Sequence, residues 1–82
     1  NPFFGAADVE LNVPHAGHVT VTVYDVRGAV VRELMGETAS PGRTSLRWDG
    51  TDDAGRRVSS GVYFLRASAV GISETRRATL LR

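Results

Sequence analysis

The sequence contains no cysteine, so neither a disulfide bond nor a cysteine-ligated metal site is available to stabilise this chain. Its 82 residues are enough for one domain. A chain of this length buries only about 60–65% of its unfolded surface, so the core is thin. We therefore expect stability to come from apolar packing and from hydrogen-bonded strands.

A strong charge excess and a long apolar run are also missing. The formal net charge is +1, which gives no field that would recruit nucleic acid or an anionic membrane. No apolar run approaches the roughly 20 residues of a membrane span. No signal peptide is visible, and the chain starts at Asn1 rather than at a methionine. We expect residues 1–82 to be a single domain cut from a longer protein.

What the chain does have is a series of short strand patterns. Apolar and polar residues alternate most clearly from His18 to Tyr24, where three valines share one face. Turn residues separate these patterns every 8–12 positions, which is typical of a β-sandwich. The patterns predict strands at Val9–Val13, His18–Tyr24, Ala29–Met35, Thr44–Trp48, Gly61–Ala69 and Ser73–Leu81.

The alternation also predicts which residues form the core. The segment Val62–Leu65 is apolar at every position, so we expect a central strand that is covered on both faces. The only tryptophan, Trp48, is expected inside, because large aromatic side chains dominate the energetics of a thin core. The predicted core comprises Val19, Val21, Val23, Leu46, Trp48, Val62 and Phe64.

An acidic loop follows Trp48 and contains Asp49, Asp52 and Asp53 within five positions. Carboxylates and loop carbonyls are the ligands that Ca²⁺ prefers, so one interpretation is a calcium site formed by these three residues. The spacing does not match an EF-hand. The favoured interpretation is turn chemistry, in which Asp side chains bond to nearby backbone and glycines supply positive φ. No cofactor is expected on that interpretation.

Aromatic residues flank the same loop. Trp48, Tyr24 and Tyr63 are compatible with an aromatic platform for sugars. The favoured interpretation is that Trp48 is the central aromatic of the core, with Tyr63 and Phe64 packed beside it. For catalysis, no serine lies in a Gly-x-Ser-x-Gly motif, and the chain is too short for a deep cleft. We therefore expect the domain itself not to be an enzyme and to have no small-molecule substrate.

Several short motifs occur in an order that resembles a known family. The motifs are Asn1-Pro2-Phe3, Val23-Tyr24-Asp25-Val26-Arg27-Gly28, Trp48-Asp49-Gly50, Asp53-Ala54-Gly55 and Ser60-Gly61-Val62-Tyr63-Phe64. With the charged tail Glu74–Arg82, they cover essentially the whole chain. In this order they resemble FlgD-type Ig-like domains and the type A C-terminal sorting domains of the type IX secretion system.

The resemblance implies an all-β fold, namely a small Ig-like (fibronectin-like) β-sandwich of about seven short antiparallel strands. It also implies a C-terminal module of a secreted or cell-surface bacterial protein with several domains, whose parent is often a hydrolase. Its partners would be the upstream domains of the parent and the outer-membrane secretion machinery, in sorting or surface anchoring. In the flagellar branch of the family, the same sandwich belongs to the hook cap.

The last strand and the C-terminal tail are the expected partner contact, because a free sheet edge there would accept a partner strand. The alternatives are a carbohydrate- or substrate-binding accessory module of a hydrolase and a flagellar hook-cap assembly module. The predicted contact residues are Arg76, Arg77, Leu80, Leu81 and Arg82.

Overall fold

The computed structural model describes residues 2–4 and 7–81 and contains two β-sheets packed face to face. The larger sheet has five strands in the order β1-β7-β6-β3-β4, and the smaller pairs β2 with β5. The strands are β1 (Pro2–Phe4), β2 (Ala7–Val13), β3 (Gly17–Tyr24), β4 (Val30–Ala39), β5 (Gly42–Trp48), β6 (Gly61–Ala69) and β7 (Ile72–Leu81).

The predicted all-β sandwich is confirmed, and its strand pairs are antiparallel with one exception. Strand β1 runs parallel to β7 and pairs Pro2 with Thr79 and Phe4 with Leu81. Strand β1 has three residues, which is too short for an alternating pattern that would predict it from the sequence. Strand β1 therefore belongs to the larger sheet, whereas β2 belongs to the smaller one.

Strand β4 is longer than the sequence pattern predicts. We expected it to end at Met35, but it continues to Ala39 opposite Gly17. Two register irregularities interrupt its pairing with β3. Such bulges insert extra residues and break strict alternation, so a period-two pattern could not indicate the true end of the strand.

The core lies between the sheets in two adjacent clusters of buried residues. Alternate residues of β3 and β6 point into it, because successive side chains of a strand face opposite sides of the sheet. Among the described residues no buried side chain is polar or charged. The clusters contain Leu11, Val13, Val19, Val21, Met35 and Ala67, and Val23, Trp48, Tyr63, Leu65 and Leu80.

The predicted core requires a correction in β6. The structure buries Val19, Val21, Val23 and Trp48, and Leu46 is partly buried against the first cluster. Val62 and Phe64, in contrast, are only half-buried, and their neighbours Tyr63 and Leu65 fill the core instead. Strand β6 is central in its sheet, but the second sheet covers just one of its faces. When every residue of a run is apolar, the sequence of that run does not show which alternate residues point towards the covered face.

Candidate functional site

The acidic loop after β5 is organised by its own side chains. The Oδ1 atom of Asp52 accepts hydrogen bonds from the backbone N–H groups of Ala54 and Arg56, at 3.0 and 2.9 Å. Gly55 completes the turn with a φ of 81°, a value at which a side chain would be strained. The hydrogen bond from Arg56 N–H is the main cause that lowers the pKa of the Asp52 carboxyl. This carboxylate is a backbone cap.

Asp49 joins the loop to the neighbouring strand. Its Oδ1 atom accepts hydrogen bonds from the Thr51 hydroxyl at 2.5 Å and from Nη1 of Arg32 at 3.1 Å. The same guanidinium group also donates to Thr51 Oγ1. The hydrogen bond from Thr51 is the main cause that lowers the pKa of Asp49, and the charge of Arg32 adds to it. Sequence reasoning missed Arg32 here, because it lies 17 positions away on a strand whose register is irregular.

Asp53 pairs with the outer edge of β4 as a strand would. Its backbone N–H donates to the carbonyl of Val31 at 3.1 Å, and its Oδ1 accepts from the N–H of Glu33 at 3.0 Å. An exposed strand edge carries unpaired backbone groups that invite pairing with another chain. The acidic loop therefore covers part of the β4 edge, a role that its sequence does not reveal.

The three aspartates of the proposed calcium site thus do not converge on one point. Each carboxylate is directed to a different set of donors within the chain. In the part of the chain that the structure describes, no group of three His, Cys, Asp or Glu side chains is arranged to hold a metal ion. The turn interpretation accounts for the loop, and the calcium interpretation gains no support from its geometry.

The aromatic platform is not present on the surface. Trp48 is fully buried, and its ring meets that of Tyr63 edge to face at a centroid distance of 5.0 Å. The Trp48 Nε1–H donates to the carbonyl of Thr51 at 2.9 Å, and the Tyr63 hydroxyl donates to the carbonyl of Ser59 at 2.7 Å. The second bond resembles the tyrosine corner of Ig-like sandwiches. Tyr24 lies half-exposed on the opposite face of the sheet.

Of the five predicted contact residues of the last strand, the four that the structure describes do not share one surface. Arg76 is exposed and pairs with Glu74 at 3.2 Å, on the side of β7 that faces the smaller sheet. Arg77 points to the outer face of the larger sheet. Leu80 is fully buried, so it is unavailable to a partner, while Leu81 is 36% exposed. Arg82 lies outside the described residues.

The C-terminal part of β7 is also not a free edge. Strand β1 pairs with it from Thr79 to Leu81, and β6 pairs with its other side. Only positions 72–78 lack a partner strand on the β1 side, counting the described residues alone. Strand addition at the very C-terminus, as the sequence suggested, would have to displace β1.

The described residues include no helix long and apolar enough to cross a membrane.

The family model of the FlgD Ig-like domain matches residues 3–72. The two-sheet topology, the Trp48–Tyr63 pair and the order of motifs agree with this match. The chain belongs to the FlgD Ig-like domain family. The search of curated proteins finds no match to this FlgD-like domain.

Solved structures agree with the family. FlgD from P. aeruginosa is 30% identical, with a TM-score of 0.68 over 88% of this chain and 58% of its own. FlgD from Xanthomonas campestris, described in connection with hook capping, is 29% identical with a TM-score of 0.68, over 89% of this chain and 55% of that one. The FlgD-like domain thus spans little more than half of either protein.

The fold also occurs in a much larger protein. PorZ of Porphyromonas gingivalis, a bacterial surface component of the type IX secretion system, matches 95% of this chain with a TM-score of 0.60. The identity is 22%, and only 12% of PorZ is covered. At that identity the likeness establishes the shared fold alone.

Proposed function

We propose that this FlgD-like domain is a non-catalytic C-terminal module of a secreted bacterial protein with several domains. Its role is type IX sorting or surface anchoring, or that of a structural accessory domain. Family membership carries the proposal, since the profile covers residues 3–72 and the same fold occurs in a type IX surface component. The partners are the parent's upstream domains and the outer-membrane secretion machinery.

Two polar groups that line a groove are hydrogen-bonded within the fold, which supports a non-catalytic role. A groove of about 320 Å³ lies at one end of the sandwich, beside the turn that contains Val26. Asp25 and Tyr63 line it, but the Asp25 carboxylate accepts hydrogen bonds from the N–H groups of Arg27 and Ala29, and Tyr63 bonds to Ser59. An active site needs a group free to react or to move a proton. These two groups serve the fold.

A reporter fusion tests the sorting role. Residues 1–82 are fused to the C-terminus of a periplasmic reporter in a host with a working type IX system. The fraction of reporter outside the cell is then measured, with and without a functional translocon. We expect export that depends on both the domain and the translocon. A reporter that stays in the periplasm with a folded domain attached contradicts the sorting role.

The control must separate sorting from folding. Deleting residues 71–82 removes β7 and with it the buried Leu80, so loss of export by that deletion reports unfolding as much as lost recognition. The variant Leu80→Asp is the matched unfolded control, and Leu81→Asp changes an adjacent exposed position. Export that survives in Leu80→Asp would point to a linear signal rather than a folded surface.

A second candidate role is hook-cap assembly, which is favoured by the 30% identity to FlgD from P. aeruginosa. Its test is complementation of a FlgD-deficient strain with a chimaera that carries residues 1–82 in place of the native Ig-like domain. Restored hooks and motility support this role. A chimaera that is stable but leaves the cells without hooks counts against it.

A further inference from the structure

The outer face of the larger sheet carries a cluster that the folding core does not explain. We call it the arginine–aromatic face and define it as Tyr24, Val62, Phe64, Arg66 and Arg77. Phe64 lies directly opposite Tyr24 on β3 and Arg77 on β7. Arg66 is two positions further along β6 than Phe64, on the same face.

No second layer of the described structure covers the apolar members of this face. The smaller sheet packs on the opposite side, where Tyr63 and Leu65 point. Tyr24, Val62 and Phe64 are half-buried, sheltered by neighbours in their own sheet and otherwise open to water. Threonines surround them at positions 22, 75 and 79. An apolar centre with a polar rim is the composition of a protein interface.

The two arginines of this face differ from most others in having no acidic partner among the residues that the structure describes. Within the described residues, neither Arg66 nor Arg77 makes a side-chain hydrogen bond or ion pair, and the only other such arginine is Arg57 in the loop before β6. Six arginines are each paired with a carboxylate, namely Arg27, Arg32, Arg43, Arg47, Arg56 and Arg76.

The opposite surface of the sandwich shows the contrast. On the outer face of the smaller sheet, Arg47 pairs with Asp8 at 2.9 Å and Arg43 pairs with Glu10 at 3.1 Å. On the arginine–aromatic side, the only acidic residue among the described positions is Glu33, on the edge strand β4. A Cβ added at Gly36 would lie 2.5 Å from its carboxylate oxygen, so this side chain folds along its own strand. The face therefore carries a local positive charge.

We propose that the arginine–aromatic face docks a protein partner that presents carboxylates around an apolar centre. The inference rests on the proposed function, because it names the surface through which such a module would be recognised. Arg and aromatic residues are the types enriched in binding hot spots, and guanidinium groups bind carboxylates in a bidentate manner. Because Arg66 and Arg77 have no acidic partner within the described chain, no internal ion pair must break when a partner's carboxylates arrive.

Two other occupants fit less well. A second copy of the chain, placed face to face, would bring Arg66 and Arg77 near their own equivalents, which is unfavourable for like charges. A neutral polysaccharide carries no carboxylate, so it would leave the guanidinium groups of Arg66 and Arg77 without an anionic partner. A partner segment that has an apolar side chain flanked by Asp or Glu matches both the apolar centre and the polar rim of the arginine–aromatic face.

The test is a binding titration monitored by backbone amide chemical shifts. The probe is a synthetic peptide in which aspartates alternate with leucine and phenylalanine, compared with the same peptide with asparagine at every aspartate. We expect shifts centred on residues 22, 64, 66, 75 and 77, and at least tenfold weaker binding of the asparagine peptide. The double variant Arg66→Gln/Arg77→Gln should weaken binding of the acidic peptide at least tenfold.

The matched control removes the same charge from the other side. The variant Arg43→Gln/Arg47→Gln should change the affinity less than twofold, and thermal melting checks that both double variants remain folded. Equal weakening by the two variants, shifts confined to β2 and β5, or absence of binding overturns the proposal. Binding of polygalacturonate in place of the peptide overturns it in favour of an acidic polysaccharide.

The reporter fusion separates this inference from the proposed function. If the wild-type fusion and the Arg66→Gln/Arg77→Gln fusion are both exported normally, the docking face is contradicted and the sorting role is retained. Failure of the folded wild-type fusion removes the sorting role, and the titration then decides the docking face independently. If the Arg66→Gln/Arg77→Gln fusion is exported less than the Arg43→Gln/Arg47→Gln fusion, both the docking face and the sorting role are supported.

Discussion

At the scale of single residues, the polar groups that attracted a chemical interpretation serve the fold. Asp25, Asp49 and Asp52 bind backbone N–H groups or neighbouring side chains in tight turns. Trp48 and Tyr63 are buried, and each donates one hydrogen bond to a backbone carbonyl. Asp and Gly are frequent in turns for conformational reasons, so their clustering does not by itself distinguish a turn from a metal site.

The Tyr63 hydroxyl provides the first prediction. Tyr63→Phe keeps the ring against Trp48 and removes the 2.7 Å hydrogen bond to Ser59, so we expect the free energy of unfolding to fall by about 1 kcal/mol. The measurement is urea denaturation followed by tryptophan fluorescence. Tyr24→Phe is the control, since the Tyr24 hydroxyl lies on the outer face, and it should change stability by less than about 0.5 kcal/mol. Equal losses in both variants would contradict the corner interpretation.

The turn aspartates give a prediction about pH. The pKa of Asp25 lies below its ordinary value of 3.8, chiefly because of the Ala29 N–H, and the Arg56 N–H lowers the pKa of Asp52 in the same way. A carboxyl with a depressed folded-state pKa contributes stability above its unfolded pKa, and that stability is lost as the pH falls through the folded value. We expect a constant urea midpoint down to about pH 5 and a steady fall below about pH 4.

Salt distinguishes the cause of that pH dependence. Backbone hydrogen bonds are short-range, whereas exposed ion pairs such as Asp8–Arg47 are screened by salt. The slope below pH 4 should therefore persist in 0.5 M NaCl and should become shallower in Asp52→Asn. A slope that disappears in salt would assign it to surface ion pairs instead.

At the scale of elements, the loop between β5 and β6 protects the edge of β4. Asp53 supplies both a donor and an acceptor to this edge, at Val31 and Glu33. The loop thereby replaces a missing strand, which explains why a segment without regular structure keeps a defined position. The opposite edge of the sheet is partly covered by β1 over Thr79–Leu81.

Exchange of one amide hydrogen measures this edge contact. Asp53→Ala removes the acceptor for the Glu33 N–H and should accelerate its exchange about tenfold, with about 1 kcal/mol lost from stability. Asp53→Asn retains an oxygen acceptor and should leave the exchange rate close to that of the wild type. Unchanged exchange in Asp53→Ala would show that the loop does not bind the edge in solution.

At the scale of the whole molecule, a thin core makes each buried side chain important. Strand β7 contributes Leu80 to the same cluster as Trp48 and Val23. Strand β7 is therefore part of the core, and it cannot be removed without loss of packing.

The adjacent leucines of β7 test that dependence. Leu80→Ala should cost about 2–5 kcal/mol, a large share of the stability of a domain this small. Leu81→Ala, at a position 36% exposed, should cost less than about 1 kcal/mol. Thermal melting of the two variants gives the comparison. Similar melting temperatures would contradict the buried position of Leu80.

Much of this architecture was predictable from local patterns. Alternation in β3 and the turn at Asp25–Gly28 gave the strand and its buried valines, because both depend on neighbours in the sequence. In β6 we expected Val62 and Phe64 in the core, whereas the structure buries Tyr63 and Leu65. Residues 62–65 are all apolar, so alternation within this run did not distinguish its two faces.

The sequence by itself determined the all-β class, the family and the turn chemistry, since strand propensity, turn residues and motif order are local properties. Only the tertiary structure decided which face of β6 is buried, that Asp53 covers the β4 edge, and that Arg66 and Arg77 have no carboxylate partner among the described residues. These features depend on strand register and on side chains far apart in the chain. Such contacts follow from the packing of two sheets, which no local pattern encodes.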